Sequence, residues 1–464
     1  MKTIHFVSLG CPKNRVDTEV MLGVAMGEGF RIVDDPAEAE VVVVNTCGFI
    51  GEAKRESIET ILELALLKKA GACKKLVVAG CLSQRYAPDL AKKMPEVDHF
   101  LGSSDMLRLG LVLDSFSGRG DKADRILVGN PADWVVRATD PRVVTQSRAS
   151  AWVKIAEGCN RTCSFCVIPQ IRGKQRSRSA DDVVREAERL ALAGTVELNL
   201  ISQDTIAYGR DLEKTERVPL ADLVRRVADV PGVRWVRLFY LYPETITEEL
   251  IELIANHPRV VPYVDMPLQH ASDSLLKRMK RGSTNDRQHR IVERLRKSVP
   301  NLTFRTTFIV GHPGESAQDF EELCAFVRWA RFERMGVFRY SDEETSESFG
   351  QDSKVKSITA ASRARKLMAL QRVIAREENQ KLVGTEMDVL VEGPSEEHDL
   401  VMQGRHAGQA PEIDGHVFLS EGEVRAGEMV RVRVSQASDY DVVGDVIGKD
   451  TRAQKKRVGL RVIG

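Results

Sequence analysis

The sequence predicts an α/β protein with an N-terminal parallel α/β sheet domain, a central partial TIM-type (β/α)6 barrel and a small C-terminal all-β, OB-like barrel. Two series of apolar strands alternating with amphipathic helices predict the first two parts. Short alternating strands separated by Gly and Pro predict the third. We expect the domains to span residues 1–140, 145–379 and 380–448, with a basic, flexible tail at residues 449–464.

The composition is that of an ordinary globular protein. The chain has 464 residues, 42% of them hydrophobic, and its 68 Lys and Arg residues nearly balance 67 Asp and Glu residues. At roughly 150 residues per domain, this length suits about three domains, and the apolar fraction excludes disorder as the main state. No apolar run approaches the roughly 20 residues that span a bilayer, and the N-terminus lacks a signal-peptide pattern. We therefore expect a cytoplasmic protein without a membrane partner.

The first 110 residues predict a parallel sheet. Strands are expected at residues 4–10, 41–45 and 74–81, separated by helices at residues 18–29 and 52–72. Cys11, Cys47 and Cys81 each follow the apolar part of one strand, at the edge where open α/β sheets build their sites. The three thiols are expected to converge, although a free cysteine is also commonly a small buried hydrophobe.

A second alternating series predicts the central barrel. Its six strands are expected at residues 152–158, 196–204, 235–243, 260–270, 302–315 and 335–341. Helices such as residues 180–194 and 317–330 separate them, and a long helix at residues 358–384 closes the series. In a barrel of this type, functional side chains belong at the C-terminal ends of the strands. Polar residues in or after these strands include Gln203, Asp204, Gln269, Arg305 and Glu315.

Three more cysteines follow the first barrel strand. Cys159, Cys163 and Cys166 form a C-x3-C-x2-C motif. Three thiolates on a short loop can bind three irons of a 4Fe-4S cluster and leave the fourth iron open for a substrate or cofactor. The alternative is a zinc knuckle, which needs four ligands, and no fourth Cys or His lies nearby in the sequence. Cys73 and Cys324 fit neither trio and are expected to be structural.

The motif and its flanks resemble those of the radical S-adenosylmethionine enzymes, in which an aromatic residue precedes the third cysteine, as Phe165 does here. This resemblance implies that the open iron binds S-adenosylmethionine, which one electron cleaves to methionine and a deoxyadenosyl radical. It also implies an electron donor such as flavodoxin or ferredoxin. In related enzymes, cofactor contacts come from positions that correspond here to Gln203, Asp204, Gln269, Arg305 and Glu315.

Residues 1 to 448 resemble the methylthiotransferases of this superfamily. The words SLGCPKN, NTCGF and AGCLSQR surround the N-terminal cysteines, and the C-terminal module is similar to a TRAM domain. The resemblance implies that Cys11, Cys47 and Cys81 hold a second 4Fe-4S cluster, which carries the sulfur to be methylated and transferred. The sequence does not identify the donor of that sulfur.

Two classes of substrate are known in this family, adenosine in transfer RNA and an aspartate of ribosomal protein S twelve. The words PKN after Cys11, GFI after Cys47 and QHAS at residues 269–272 resemble the ribosomal-protein branch. We therefore expect a methylthio group to be added to the β-carbon of that aspartate. A transfer-RNA methylthiotransferase is the first alternative, and a non-catalytic metal-binding protein that docks on the ribosome is the second.

The distribution of charge supports a protein substrate. Residues 380–448 carry five Lys and Arg against fourteen Asp and Glu, a net charge of −9, whereas residues 449–464 carry +5. An acidic β-module should repel a phosphate backbone and attract a basic ribosomal protein, so nucleic acid is expected to be at most a secondary partner. The alternative is that the acidity only confers solubility. A basic run beside the motif could bind RNA or position an acidic target, but its default interpretation is a solvated face: Arg161, Arg172, Lys174, Arg176 and Arg178.

Overall fold

The computed structural model describes residues 2–146, 149–395, 401–420 and 422–449. Within these ranges, two parallel α/β sheets are followed by a closed β-barrel, which confirms the predicted fold class. The expected basic tail lies outside the described residues, apart from Lys449. None of the helices in these ranges combines the length and the apolar character that crossing a bilayer requires.

The N-terminal sheet is parallel throughout and is flanked by helices. Its strands are β1 (Thr3–Ser8), β2 (Arg31–Ile32), β3 (Val41–Thr46), β4 (Lys75–Gly80), β5 (His99–Leu101) and β6 (Ile126–Leu127). Its helices are α1 (Pro12–Gly27), α2 (Gly51–Lys69), α3 (Cys81–Lys93) and α4 (Leu109–Ser117). In the described residues the spatial order is β2-β1-β3-β4-β5-β6. The short strands β2, β5 and β6 extend the sheet beyond the three predicted strands.

Strand β3 shows why this region forms a sheet that is buried on both faces. Val41 and Val43 pack into one apolar core with Val16 and Val20 of α1, whereas Val42 and Val44 face another core that includes residues of α2. A run of four valines therefore satisfies both faces, as is typical of parallel strands. Helix α1 begins six residues earlier than predicted because Pro12 occupies its first turn, where proline is favoured.

The central region forms the predicted partial barrel. Its strands are β7 (Ser150–Lys154), β8 (Ala156–Glu157), β9 (Arg176–Ser177), β10 (Glu197–Ile201), β11 (Trp235–Leu238), β12 (Val260–Asp265), β13 (Thr303–Val310) and β14 (Arg334–Arg339). Its helices are α5 (Ile168–Arg172), α6 (Ala180–Leu192), α7 (Leu220–Asp229), α8 (Glu248–Asn256), α9 (Asp273–Arg278), α10 (Asn285–Ser298), α11 (Ala317–Ala330) and α12 (Ser357–Gln380). Among the described residues, six strands form a parallel sheet in the order β7-β10-β11-β12-β13-β14, and β8 pairs with β9.

The C-terminal region is a small closed barrel with its own valine-rich core. Its strands are β15 (Glu386–Pro394), β16 (Met402–His406), β17 (Val417–Leu419), β18 (Met429–Ala437) and β19 (Val442–Lys449). The barrel is anchored to the central sheet by Arg405, whose Nη2 donates to Glu197 Oε2 at 2.5 Å. Glu197 also accepts from Arg237 Nη2 at 3.1 Å, and all three side chains are fully buried.

Some acidic residues of this barrel form ion pairs or hydrogen bonds with other parts of the molecule. Glu412 pairs with Arg15 at 3.3 Å, and Asp439 pairs with Arg376 at 2.5 Å. Asp414 accepts a hydrogen bond of 2.7 Å from the hydroxyl of Tyr263 in the central sheet. The net charge of −9 therefore overstates the field that this region presents to a partner.

Candidate active site

The N-terminal trio, Cys11, Cys47 and Cys81, lies at the carboxyl edge of the first sheet. Strands β1, β3 and β4 are neighbours there, so the residues that follow them meet. A Cβ added at Gly10, whose φ is +92°, would lie 3.3 Å from Cys47 Sγ. Burial, and then the thiols of Cys81 and Cys11, raise the pKa of Cys47 to about 12. The structure thus brings the three predicted thiols together.

The motif trio, Cys159, Cys163 and Cys166, lies on the loop between β8 and α5. All three line a cavity of about 710 Å³. Burial is the largest cause that raises the pKa of Cys159 to about 11 and that of Cys166 to about 12. Arg281 Nη1 donates to Cys163 Sγ at 3.5 Å.

The donor chemistry of both trios fits a 4Fe-4S cluster. Three thiolates bind three irons and leave one iron for another ligand. Among the described residues, no three Cys, His, Asp or Glu side chains are arranged so that they could bind a single metal ion. The ligands of a cluster bind different irons and need no such arrangement. Burial raises the pKa of four of these thiols, so cluster binding must release their protons: Cys47, Cys81, Cys159 and Cys166.

Arg172 connects the two trios. It follows the motif loop, yet its Nη2 donates to Cys81 Sγ at 3.3 Å and to Asn14 Oδ1 at 2.5 Å. Its Nη1 donates to Asp17 Oδ2 at 2.7 Å, and the other oxygen of Asp17 accepts from Lys154 Nζ at 2.7 Å. All these side chains are buried, so helix α1 is fixed to the central region by charge-assisted hydrogen bonds.

The expectation of a solvated basic face beside the motif is wrong for Arg172 and Arg178, which are 2% and 3% exposed. Arg178 pairs with Glu186 and, at 2.7 Å, with Asp182. The partners of Arg178 follow it closely in the sequence, whereas Asp17, the partner of Arg172, lies on α1 and the run of arginines gives no signal of it. Lys174 is exposed, as expected.

Gln203 and Asp204 lie after β10, beside the motif loop. Asp204 Oδ2 accepts from Arg161 Nε at 2.6 Å, and Gln203 Nε2 donates to Glu157. Gln203 Oε1, Asp204 Oδ1 and Arg161 Nη2 are buried without a hydrogen-bond partner in the part of the chain that the structure describes. Buried polar groups are normally paired, so these atoms are available to form hydrogen bonds with a polar ligand or with water.

Tyr242 lies between two cations of this surface. The guanidinium carbons of Arg161 and Arg281 are 3.7 and 3.9 Å from the centroid of its ring. This stacking orders both arginines at the mouth of the motif loop. Sequence reasoning missed Tyr242 and Arg281, although the strand-end position of Tyr242 was a usable signal.

The other predicted polar residues are held by internal contacts. Gln269 has a left-handed φ of 73°, and its backbone N–H donates to the carbonyl oxygen of Thr307 at 2.9 Å. Arg305 Nη1 donates to Asp265 Oδ1 at 2.7 Å. Glu315 accepts from the N–H of Gly311 and, at 2.9 Å, from Arg363 Nη1. The sequence did not reveal these partners.

A loop of the C-terminal barrel reaches the N-terminal trio. Glu412 and Ile413 line a cavity of about 110 Å³ together with residues 8–12 and Arg15. Lys13 lies in the first turn of α1, two residues after Cys11, and its ammonium contacts the ring of Tyr240, which follows β11. Sequence reasoning gave Lys13 and Tyr240 no role. The only signal was that Lys13 belongs to the word PKN.

Three family models match the chain. The Radical SAM superfamily matches residues 153–327, the uncharacterized protein family UPF0004 matches residues 3–102, and the TRAM domain matches residues 383–447. Together they cover the two cysteine trios and the small C-terminal barrel.

Full-length relatives and a solved structure agree with these matches. The chain is 64% identical to the ribosomal protein uS12 methylthiotransferase RimO of Sorangium cellulosum, an alignment that covers 100% of this chain and 97% of the relative. It is 48% identical to the protein of the same name from Myxococcus xanthus, covering 98% and 94%. The radical S-adenosylmethionine methyltransferase TsrM from Kitasatospora setae has the same fold over 73% of each chain, with a TM-score of 0.53 and 17% identity. At 64% identity over its whole length, the chain belongs to the RimO family of ribosomal protein uS12 methylthiotransferases.

Proposed function

We propose that the protein adds a methylthio group to the β-carbon of an aspartate in ribosomal protein uS12, which is ribosomal protein S twelve. The observation that carries this proposal is the identity of 64% to a RimO protein across the whole chain. The reaction takes place in the cytoplasm and draws electrons from a donor such as flavodoxin or ferredoxin.

The cofactors of this reaction are two 4Fe-4S clusters and S-adenosylmethionine. Cys159, Cys163 and Cys166 would hold one cluster, and Cys11, Cys47 and Cys81 the other. When bound, these groups supply the sulfur and the radical chemistry that an aspartate C–H bond of negligible acidity requires. This arrangement assigns one cluster to residues 1–140 and the other to residues 145–379.

The chain itself must position the reactants and exclude water. Arg172 and Asp17 hold the two trios in one relative position, which supports a reaction between groups bound at the two sites. Both side chains are buried, so this contact is shielded from bulk solvent.

Five residues are proposed to serve S-adenosylmethionine. Gln203 and Asp204 offer buried oxygens that lack partners within the described ranges, which supports direct hydrogen bonds to the cofactor. Gln269 lies four residues after β12, and its backbone N–H donates to the carbonyl oxygen of Thr307 in β13. Arg305 is already paired with Asp265, and Glu315 with Arg363, so their proposed role is to fix strand β13 and the turn after it.

A protein acceptor is favoured over RNA by the acidic C-terminal barrel, which we propose as the docking module of residues 380–448. Some of its acids are internally paired, but Glu423 is exposed and no salt bridge in the described part of the chain engages it. Complementary charge would steer a basic ribosomal protein toward such a surface.

A gene deletion tests the proposal. In cells that lack the gene, we expect mass spectrometry of uS12 to show the unmodified aspartate peptide and nucleoside analysis of transfer RNA to remain unchanged. Re-introduction of the wild-type gene should restore the modified peptide, whereas the Cys163→Ala gene should not. Loss of a methylthio-adenosine in the deletion strain, with unchanged uS12, would instead assign the protein to transfer RNA.

A further inference from the structure

Lys13 is a buried cation without an acidic partner. It lies in the first turn of α1, two residues after Cys11, and is 7% exposed. In the described ranges its ammonium makes neither a salt bridge nor a hydrogen bond, and its contact is with the ring of Tyr240, 3.1 Å from the centroid. A cation–π contact offsets only part of the cost of burying an ammonium. Such a group is available to an incoming anion.

The neighbouring charges are already neutralised. Asp17 pairs with both Lys154 and Arg172, and Asp265 pairs with Arg305. Arg161, Arg172 and Arg305 each have an aspartate partner. Lys13 differs from these three arginines because its own charge is left uncompensated at the same interface.

Tyr240 is held rigidly under this ammonium. Its φ of 58° is a left-handed value that a bulky residue rarely adopts. The backbone is fixed there because its N–H donates to Asp265 Oδ2 at 2.9 Å and its carbonyl accepts from the N–H of Thr205 at 3.2 Å. Strained residues that the surrounding structure holds in place cluster at functional sites.

Lys13 therefore lies between the two trios. On one side it lies two residues after Cys11 in the chain. On the other side, Tyr240 bonds Thr205, which adjoins Asp204, the partner of Arg161 in the motif loop.

We propose that Lys13 binds the side-chain carboxylate of the acceptor aspartate and so selects an acidic acceptor. This inference rests on the proposed function, in which the reacting carbon is the β-carbon of an aspartate. The carboxylate is bonded directly to that carbon, so holding it limits where the β-carbon can lie. An amide of the same shape would lack the charge that Lys13 recognises.

A double-mutant cycle on binding tests this proposal. The cluster-reconstituted enzyme, wild type or Lys13→Met, is titrated with uS12 that carries either the acceptor aspartate or asparagine at that position. We expect the wild type to bind the aspartate form about tenfold more tightly. The preference should fall below about twofold in Lys13→Met and be largely kept in Lys13→Arg.

Two controls separate a specific role from a structural one. Lys92→Met removes an exposed lysine of α3 in the same domain and should keep the tenfold preference. The iron content of reconstituted Lys13→Met should equal the roughly eight irons expected of the wild type, which shows that the variant is folded and loaded.

Several outcomes would overturn the proposal. One is a wild type that binds both forms of uS12 equally, a result that needs no variant. Another is a preference for the aspartate form of uS12 that is equal in wild type and Lys13→Met. This outcome would overturn the proposal whether or not the variant binds S-adenosylmethionine more weakly. Failure of the proposed function looks different, since the wild type would then form deoxyadenosine but leave uS12 unmodified.

Discussion

The guanidinium of Arg172 lies 3.3 Å from the sulfur of Cys81, which precedes it by 91 residues. Arg172 ends the short helix after the motif trio, whereas Cys81 belongs to the N-terminal trio. A side chain from the helix that follows the motif trio thus contacts a predicted ligand of the N-terminal cluster. Because Arg172 also binds Asp17, the contact is part of a buried ionic network and not an isolated hydrogen bond.

Replacing Arg172 should change the redox behaviour of the cluster at the N-terminal trio. A cation beside a ligand sulfur favours the more negative, reduced form, so Arg172→Gln should lower the reduction potential. We expect a shift of roughly 60 mV, equivalent to about 1.4 kcal/mol for one electron. Potentiometric titration followed by electron paramagnetic resonance measures it. Arg172→Lys retains the charge and should shift the potential much less. An unchanged potential in Arg172→Gln at full iron content would contradict this role.

Iron content tests the assignment of the six ligands. The reconstituted wild type should hold about eight irons, and Cys47→Ala or Cys163→Ala should each hold about four. Cys73 and Cys324 provide matched controls because both are buried in apolar cores away from the trios. Cys73→Ala and Cys324→Ala should retain the full iron content. Equal loss from all four variants would show that misfolding, and not ligand removal, is being measured.

The C-terminal barrel should depend on Arg405 for its attachment. Arg405→Met leaves Glu197 buried with one cation fewer and should destabilise the docked barrel by about 3 kcal/mol. Urea unfolding followed by tryptophan fluorescence reports this, since Trp152 packs in the same core as Ala410 of the barrel loop. Arg433→Met breaks an exposed pair on the same barrel and should cost less than about 1 kcal/mol. Similar losses in both variants would argue against the buried anchor.

The same anchor predicts an acid sensitivity. Burial alone would raise the pKa of Glu197, but Arg405 and Arg237 outweigh it and lower that pKa to about 2. A carboxyl group whose pKa is lowered in the folded state stabilises the fold at pH values above its ordinary pKa of 4.5. This stabilisation is lost as the pH falls toward 2. Stability should therefore drop by about 3 kcal/mol across this interval.

The variant Glu197→Gln should flatten that pH dependence, measured as urea midpoints between pH 5 and pH 2.5. Glu386→Gln, which alters an exposed pair of the same barrel, should leave most of it in place. An identical acid response in wild type and Glu197→Gln would exclude this carboxyl group as its cause.

The sequence predicted the parts of the fold that follow from apolar periodicity. The four valines at residues 41–44 are visible in the pattern because both faces of β3 are buried. The longer strand β13 instead alternates between buried and partly exposed residues. Strands β2 and β6 have two residues each, too few to show any period. The N-terminal trio was predictable because each of its thiols follows a strand of the first sheet, and the motif trio because of its C-x3-C-x2-C spacing.

The contacts that join the domains were not predictable. In the sequence, Arg172 is one member of a basic run, and only the folded chain shows that it contacts Asp17 and Cys81. Lys13 likewise gives no local signal, since the ring beneath it belongs to Tyr240, far along the chain. Charge in a sequence reveals which groups must be neutralised or hydrated, but not by which partner.

Mass spectrometry of uS12 after incubation with the reconstituted enzyme, S-adenosylmethionine and dithionite tests the central claim most directly. The wild type and Cys73→Ala should replace one hydrogen of an aspartate by a methylthio group, whereas Cys47→Ala and Cys163→Ala should leave uS12 unmodified. Unmodified uS12 with a wild type that forms deoxyadenosine, or a modified aspartate with Cys163→Ala, would contradict it.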